Sequence, residues 1–251
     1  MNILDKFFPR RNKEVYPEDI EKDLKDIFEV FENAEKLIRD EMNFLKYYNI
    51  ELKYNERIEL KCFKNNGALH KLILTVYATY EYSIKNIMSF ALEIIEKEDT
   101  SLLALTQKLR ALYYKENLNE VKKALNQPQK STKDISYNHI VKLFDKLDQD
   151  EKFVNNDYFI NTKSNLDYEV LKELIDYFDF NEKDYKKYKV YINSLVHHRN
   201  NVAHGNREFP KTKDKPINFE NFEEFCEKII QLINDVYLDI KRFIVEEKYL
   251  K

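Results

Sequence analysis

Residues 195–205, LVHHRNNVAHG, hold three of the five histidines and one of the two glycines in this chain. Arg199 and His204 are the pair whose types and spacing point to chemistry. A histidine with an ordinary pKa of about 6.5 takes up and releases protons near neutrality. A guanidinium stays charged, and its planar fork matches phosphate oxygens. Together they suit displacement at phosphorus, with His204 moving a proton and Arg199 stabilising the charge of the phosphorane. Asn200 is placed to position a phosphate or to orient the histidine.

Helical geometry restricts how this pair can act. Five residues at about 100° each set Arg199 and His204 about 140° apart around an ideal helix. His197, Asn201 and His204 share one stripe instead, at i, i+4 and i+7. Convergence of Arg199 and His204 therefore needs side-chain reach, a loosened last turn, or a second chain. His197 and His198 read first as surface or interface residues. Arg199 also suits pairing with Glu81 in a bundle, a pairing compatible with catalysis because a carboxylate can hold a guanidinium in place. Lys85 follows Glu81 by one turn. Tyr113 and Tyr114 offer faces for stacking bases, but packing is the simpler use. No metal is expected: the histidines lack the i, i+4 pair with an acidic third ligand, and Cys62 and Cys226 are lone cysteines far apart.

The elements around the motif read as helices. Residues 1–16 form an arm in which Phe7 and Phe8 stand beside Arg10, Arg11 and Lys13. Pro17 and the acids after it open a long amphipathic helix that runs to about Tyr48. Residues 50–54 alternate like a short strand. Asn65 or Asn66 caps the next helix, whose wide apolar stripe from Leu69 to Ile95 marks it as central. Glu81 sits beside that stripe. A helix is predicted over 102–125, and another over 138–147. A polar loop follows over 148–166. Asn165 or Asp167 caps a helix over 168–178, and Asp184 opens the motif helix. Gly205 suits the left-handed position just past a helix end. Lys211, Lys213 and Lys215 lie in a basic loop over 206–216, and a last helix covers 219–245.

Composition fits this reading. The chain has 251 residues, 43% hydrophobic and 35% charged, enough for a sizeable core. Only two glycines and five prolines are present, which disfavours turn-rich sheets and glycine-rich phosphate loops and favours long helices. The net charge of −3 excludes a general nucleic-acid coating protein, so any nucleic-acid site must be a local basic patch. No signal peptide and no run of about 18 apolar residues is visible, so a cytoplasmic protein without a membrane span is expected.

Arg199-Asn200-x-x-x-His204, within the string RNNVAHG, resembles the R-x4-6-H signature of HEPN domains. Two further segments are similar to elements of HEPN families linked to prokaryotic conflict systems. One is LHKLILTVYATYEYSIK at 69–85, with a Y-A-x-x-E core. The other is NTKSNLDYEVL at 161–171, with the pattern T-x-SNL-x-x-x-VL. The resemblance implies an all-α helical bundle of the HEPN type with an N-terminal helical extension: residues 1–65 as arm and long helix, residues 66–251 as the bundle. It implies a metal-independent, cofactor-free endoribonuclease, a toxin or defence effector, with Arg199, His204 and Asn200 catalytic and Glu81, Asn201, His198, His197 and Lys85 supporting. RNA is the implied substrate, a homodimer with a shared cleft the implied assembly, and an antitoxin or defence protein the implied partner. The other reading is a non-catalytic HEPN module that binds RNA or scaffolds a protein.

Overall fold

The computed structural model describes residues 18–55, 58–126, 132–156, 158–205 and 216–251. The aromatic and basic arm at 1–16 and the basic loop at 206–215 lie outside them. The elements are α1 (Glu18–Asn55), α2 (Ile58–Lys97), α3 (Gln107–Tyr113), α4 (Lys115–Leu125), α5 (Thr132–Leu147), α6 (Tyr168–Tyr177), α7 (Glu182–Tyr185), α8 (Lys189–Ala203) and α9 (Phe222–Val245), with a 3-10 turn at Lys186–Tyr188 joining α7 to α8. Among the described residues only two isolated bridges, Ser101 with Lys152 and Leu105 with Leu250, have β character. The fold is all-α.

Three long helices make the frame. α1 buries Ile27, Ala34, Ile38, Met42 and Leu45, a single stripe. α2 buries a much wider face, including Ile73, Val76, Tyr80, Ile84, Ile87, Leu92 and Ile95, because α1, α8 and α9 all pack on it. α9 fills the remaining side with Ile229, Ile233, Val236 and Ile240. The Phe31 ring stacks on Tyr237 with centroids 5.7 Å apart, joining α1 to α9. At the rim Arg39 grips Glu227 at 2.6 Å and Lys97 grips Asp23 at 2.7 Å. Such exposed pairs fix register more than they stabilise, at about 0–1 kcal/mol each.

The structure departs from the sequence expectations at several boundaries. Residues 50–54 are helical, not a strand: no proline or glycine follows Pro17 before them, and α1 continues to Asn55. α2 likewise begins at Ile58, so Asn65 and Asn66 lie inside it and do not cap it. The helix expected over 102–125 starts at Gln107, after a turn where Thr106 donates its N–H to the Tyr249 carbonyl at 2.9 Å, and it breaks at Tyr114. Tyr114 is buried and its hydroxyl donates to the Lys146 carbonyl at 3.1 Å. Tyr113 packs on Phe153 and Phe159, so this tyrosine pair is a packing element. α5 starts at Thr132, ahead of the expected 138.

The helix expected from Asp184 is also interrupted. The 3-10 turn at Lys186–Tyr188 eclipses positions three apart. Tyr185 and Tyr188 therefore both face α9, donating to Asp239 at 2.8 Å and Asp235 at 2.6 Å. This double anchor sets where α8, the motif helix, begins. α9 starts at Phe222, three residues later than expected, because Asn218 and Asn221 bond each other's backbone and close a turn first.

Candidate functional site

α8 buries Ile192, Ser194, Leu195, Val196 and His198. That burial decides which motif residues remain available. Arg199, Asn200 and Asn201 are half-buried at the edge of the helix, and His197 and His204 are exposed. α8 is regular to its end: the His204 N–H donates to the Asn200 carbonyl at 3.0 Å, an α-type bond. Only then does the chain turn, with the Gly205 N–H on the Val202 carbonyl at 3.0 Å and Gly205 at φ +74°. Gly205 occupies the left-handed position expected of it, where a residue with a Cβ is strained by roughly 1–2 kcal/mol. No loosened last turn brings Arg199 and His204 together. Side-chain reach and a second chain are the routes left.

Arg199 is held by three groups from separate parts of the sequence. Its Nη1 donates to Asn165 Oδ1 at 3.1 Å and to Asn200 Oδ1 at 2.9 Å. Its guanidinium carbon lies 4.9 Å from the centroid of the Tyr77 ring, a cation–π contact. The Tyr77 hydroxyl accepts the buried Leu166 N–H at 3.0 Å. The segment from Ser164 to Leu166, a turn and a bend, thus contacts both Tyr77 and Arg199. It is fixed downstream by Asp167, which caps α6 by accepting the Val170 N–H at 2.9 Å, and by the Tyr168 N–H, which donates to Asn193 of α8 at 3.2 Å. Of the two caps read from sequence, Asp167 serves and Asn165 does not, because the Asn165 side chain is engaged by Arg199.

Glu81 is half-buried one turn beyond Tyr77. Burial raises the pKa of the Tyr77 hydroxyl, the Leu166 N–H lowers it, and the charge and hydrogen bond of Glu81 raise it again. Glu81 therefore meets the cluster through Tyr77; the partners of Arg199 are Asn165, Asn200 and the Tyr77 ring. Lys85 is exposed a further turn along α2. Asn201 turns its amide back onto the His197 carbonyl at 2.8 Å. Tyr77 and Asn165 were not read from the sequence as site residues. The only signal for them was that each lies in a segment similar to a HEPN element.

Residues 17–249 match the HEPN_MAE_28990-like HEPN family. The chain belongs to the HEPN family. No curated protein and no solved structure matches it. The three segments that carry its resemblance to HEPN domains meet at Arg199: the motif supplies the guanidinium, the Y-A-x-x-E helix the ring beneath it, and the T-x-SNL segment the amide beside it. Among the described residues of this HEPN chain, no group of three His, Cys, Asp or Glu side chains is arranged to hold a metal ion. No described helix is long and apolar enough to cross a membrane.

His198 has a structural role in this HEPN chain. It is 1% exposed, and its Nε2 accepts the Ile217 N–H at 3.1 Å. That bond ties the chain back onto α8 where it re-enters the described fold ahead of α9. Burial, with the nearby His197 and His70, pushes its pKa down to about 4. It is therefore neutral at pH 7 and is no proton donor there. Between pH 6.5 and about 4 the unfolded chain takes up a proton that folded His198 refuses. Stability from this group is complete above pH 6.5 and falls as the pH drops toward 4, by up to roughly 3 kcal/mol at about 1.4 kcal/mol per unit. His198→Gln keeps an acceptor for Ile217 and cannot titrate. Urea unfolding of this variant is expected to lose the part of the pH dependence between pH 6.5 and about 5 that His198 contributes, while the loss set by carboxylates such as Glu173, held down to about 2 by Lys115 and Lys163, remains at lower pH. An unchanged slope would place the acid sensitivity elsewhere.

Proposed function

We propose that this HEPN chain is a metal-independent endoribonuclease, a toxin or effector of a prokaryotic defence or toxin–antitoxin system, working in the cytoplasm on RNA. The observation that carries this reading is the state of Arg199. Its Nη1 is occupied, while Nε and Nη2 have no partner among the described residues. That is the side of the fork that binds two phosphate oxygens at once. It stands on the same helix end as the exposed imidazole of His204.

The reaction needs only proton transfer and a fixed cation. A base removes the proton of the ribose 2′-OH, and the 2′-oxygen attacks the adjacent phosphorus. The bond from phosphorus to the 5′-oxygen breaks, and that oxygen takes a proton. The products are a 2′,3′-cyclic phosphate and a 5′-OH. His204 transfers the protons, Arg199 stabilises the charged phosphorane, and Asn200 helps to fix the guanidinium through its Oδ1. The angle between Arg199 and His204 on a regular α8 supports a homodimer in which two motifs line one cleft. Light scattering of the pure protein at micromolar concentration is expected to give twice the chain mass. A monomer with full activity would remove the shared cleft.

Incubation of purified protein with RNA in EDTA tests the function itself. Cleavage is the expected result. Binding without any cleavage would put a non-catalytic RNA-binding HEPN module in place of the enzyme.

A further inference from the structure

We infer that Asn165 is a positioning residue, part of an uncharged clamp that aims Arg199 at a phosphate while leaving its positive charge unneutralised. This rests on reading the motif as a site for RNA phosphate. A guanidinium has five N–H donors in one plane. Both hydrogen bonds that Arg199 makes among the described residues leave from Nη1, to two amide oxygens, and the Tyr77 ring covers one face of the plane. Rotation about the last side-chain bonds is thereby stopped with the Nε and Nη2 edge left over.

None of the three partners carries a formal negative charge. Elsewhere in this chain, cations that are held firmly are held by carboxylates: Arg39 by Glu35 and Glu227, Lys108 by Asp176 and Asp179, Lys115 by Glu173. Arg199 has no carboxylate within ion-pair distance among the described residues, although acidic side chains outnumber basic ones by 45 to 42 in the sequence. A carboxylate in the place of Asn165 would have nearly the same shape and a stronger bond to Nη1. It would also cancel much of the field that a phosphate must feel. The neutral amide fixes the direction and keeps the charge.

The run that carries Asn165 is built to hold it. Upstream, Lys163 sits at φ +56° with its N–H on Asn161 Oδ1 at 2.7 Å and its ammonium on Glu173 at 2.5 Å. Downstream, Leu166 is buried, Asp167 caps α6, and Tyr168 is bonded to Asn193 on α8 itself. Asn165 is thus held on both sides: upstream by contacts to its own loop and to α6, downstream by the Tyr168 bond that registers it against the motif helix. Burying Leu166 alone would not require this.

Two variants separate aiming from folding. Asn165→Asp is nearly isosteric and adds a charge; Asn165→Ala removes the contact. The binding probe is a mixed-sequence single-stranded RNA carrying 2′-O-methyl groups, which lacks the attacking hydroxyl. The variants' thermal unfolding is followed in parallel. Asn165→Asp is expected to unfold like wild type but to bind the probe more weakly, and its slope of log K against log salt should be shallower by about 0.7, one single-strand phosphate contact. Asn165→Ala is expected to keep the wild-type slope, because Arg199 stays charged, and to lose roughly 10- to 100-fold in kcat on RNA that the wild type cuts, with KM little changed. Wild-type affinity and slope in Asn165→Asp, or wild-type kcat in Asn165→Ala, overturns the clamp. If Asn165→Asp does not fold, the kcat of Asn165→Ala decides. If the wild type binds the probe and cuts no RNA, the nuclease reading fails, and the salt slopes of the two variants still decide the clamp.

Discussion

His204→Ala is expected to reduce RNA cleavage by at least ~10²-fold while leaving the fold intact, the usual size of one proton-transfer contribution. His204 is exposed at the end of α8, and its backbone N–H, not its ring, makes the bond to Asn200 that closes the helix. Loss of the imidazole should therefore change stability by no more than about 0.5 kcal/mol. Arg199→Ala is expected to lose activity by a similar factor, through the electrostatic stabilisation of the phosphorane. It differs in stability. Removing the guanidinium leaves the Asn165 and Asn200 amide oxygens without their donor in a half-buried site, at a cost of about 1–3 kcal/mol. Arg199→Lys keeps the charge but not the fork, so it should bind RNA with nearly the wild-type salt dependence and still cleave poorly. Cleavage rates with melting curves for the three variants check all of this. Wild-type cleavage by His204→Ala would exclude His204 from the chemistry.

The long helices were legible because two glycines and five prolines leave few places for a chain of 251 residues to break. The same scarcity explains where the helices run on past their expected limits. Residues 50–54 alternate for too few positions to outweigh a helix that meets no breaker, and the polar Asn65 and Asn66 look like a cap only when the residues before them are not already helical. The break at Tyr114 and the 3-10 turn before α8 come from buried tyrosine hydroxyls that reach Lys146, Asp235 and Asp239. No local period reports partners so distant in sequence.

The candidate site divides in the same way. Arg199, Asn200, His204 and Gly205 are close in sequence, and their spacing on one helix end carries their meaning. Tyr77 and Asn165 act on Arg199 from another helix and from a loop. Tyr77 looks like one more aromatic on an apolar stripe, and Asn165 like one more helix cap. A carboxylate beside an apolar stripe needs company, which makes Glu81 a natural partner for Arg199 from sequence alone. The Tyr77 ring takes that place, one turn earlier on the same face of α2.

A single 2′-deoxy sugar at the cleaved position is expected to abolish cutting there, because the attacking oxygen is missing. Affinity should change little, since contacts to phosphate, not to the 2′-hydroxyl, dominate binding to a single strand. The pairing of the two results matters. A nuclease that activates water instead would cut the deoxy position, and a substrate rejected at the binding step would lose affinity as well as cleavage. Retained affinity without cutting isolates the 2′-oxygen as the nucleophile. Cutting at the deoxy position at the wild-type rate would refute attack by the 2′-OH.

The most direct measurement is the chemistry of the RNA ends left by purified wild-type protein in EDTA, with Arg199→Ala and His204→Ala treated alongside. A 2′,3′-cyclic phosphate on one fragment and a 5′-OH on the other, absent from both variants, is the predicted result. Ends carrying a 5′-phosphate and a free 3′-OH, or the same fragments from His204→Ala as from wild type, would contradict it.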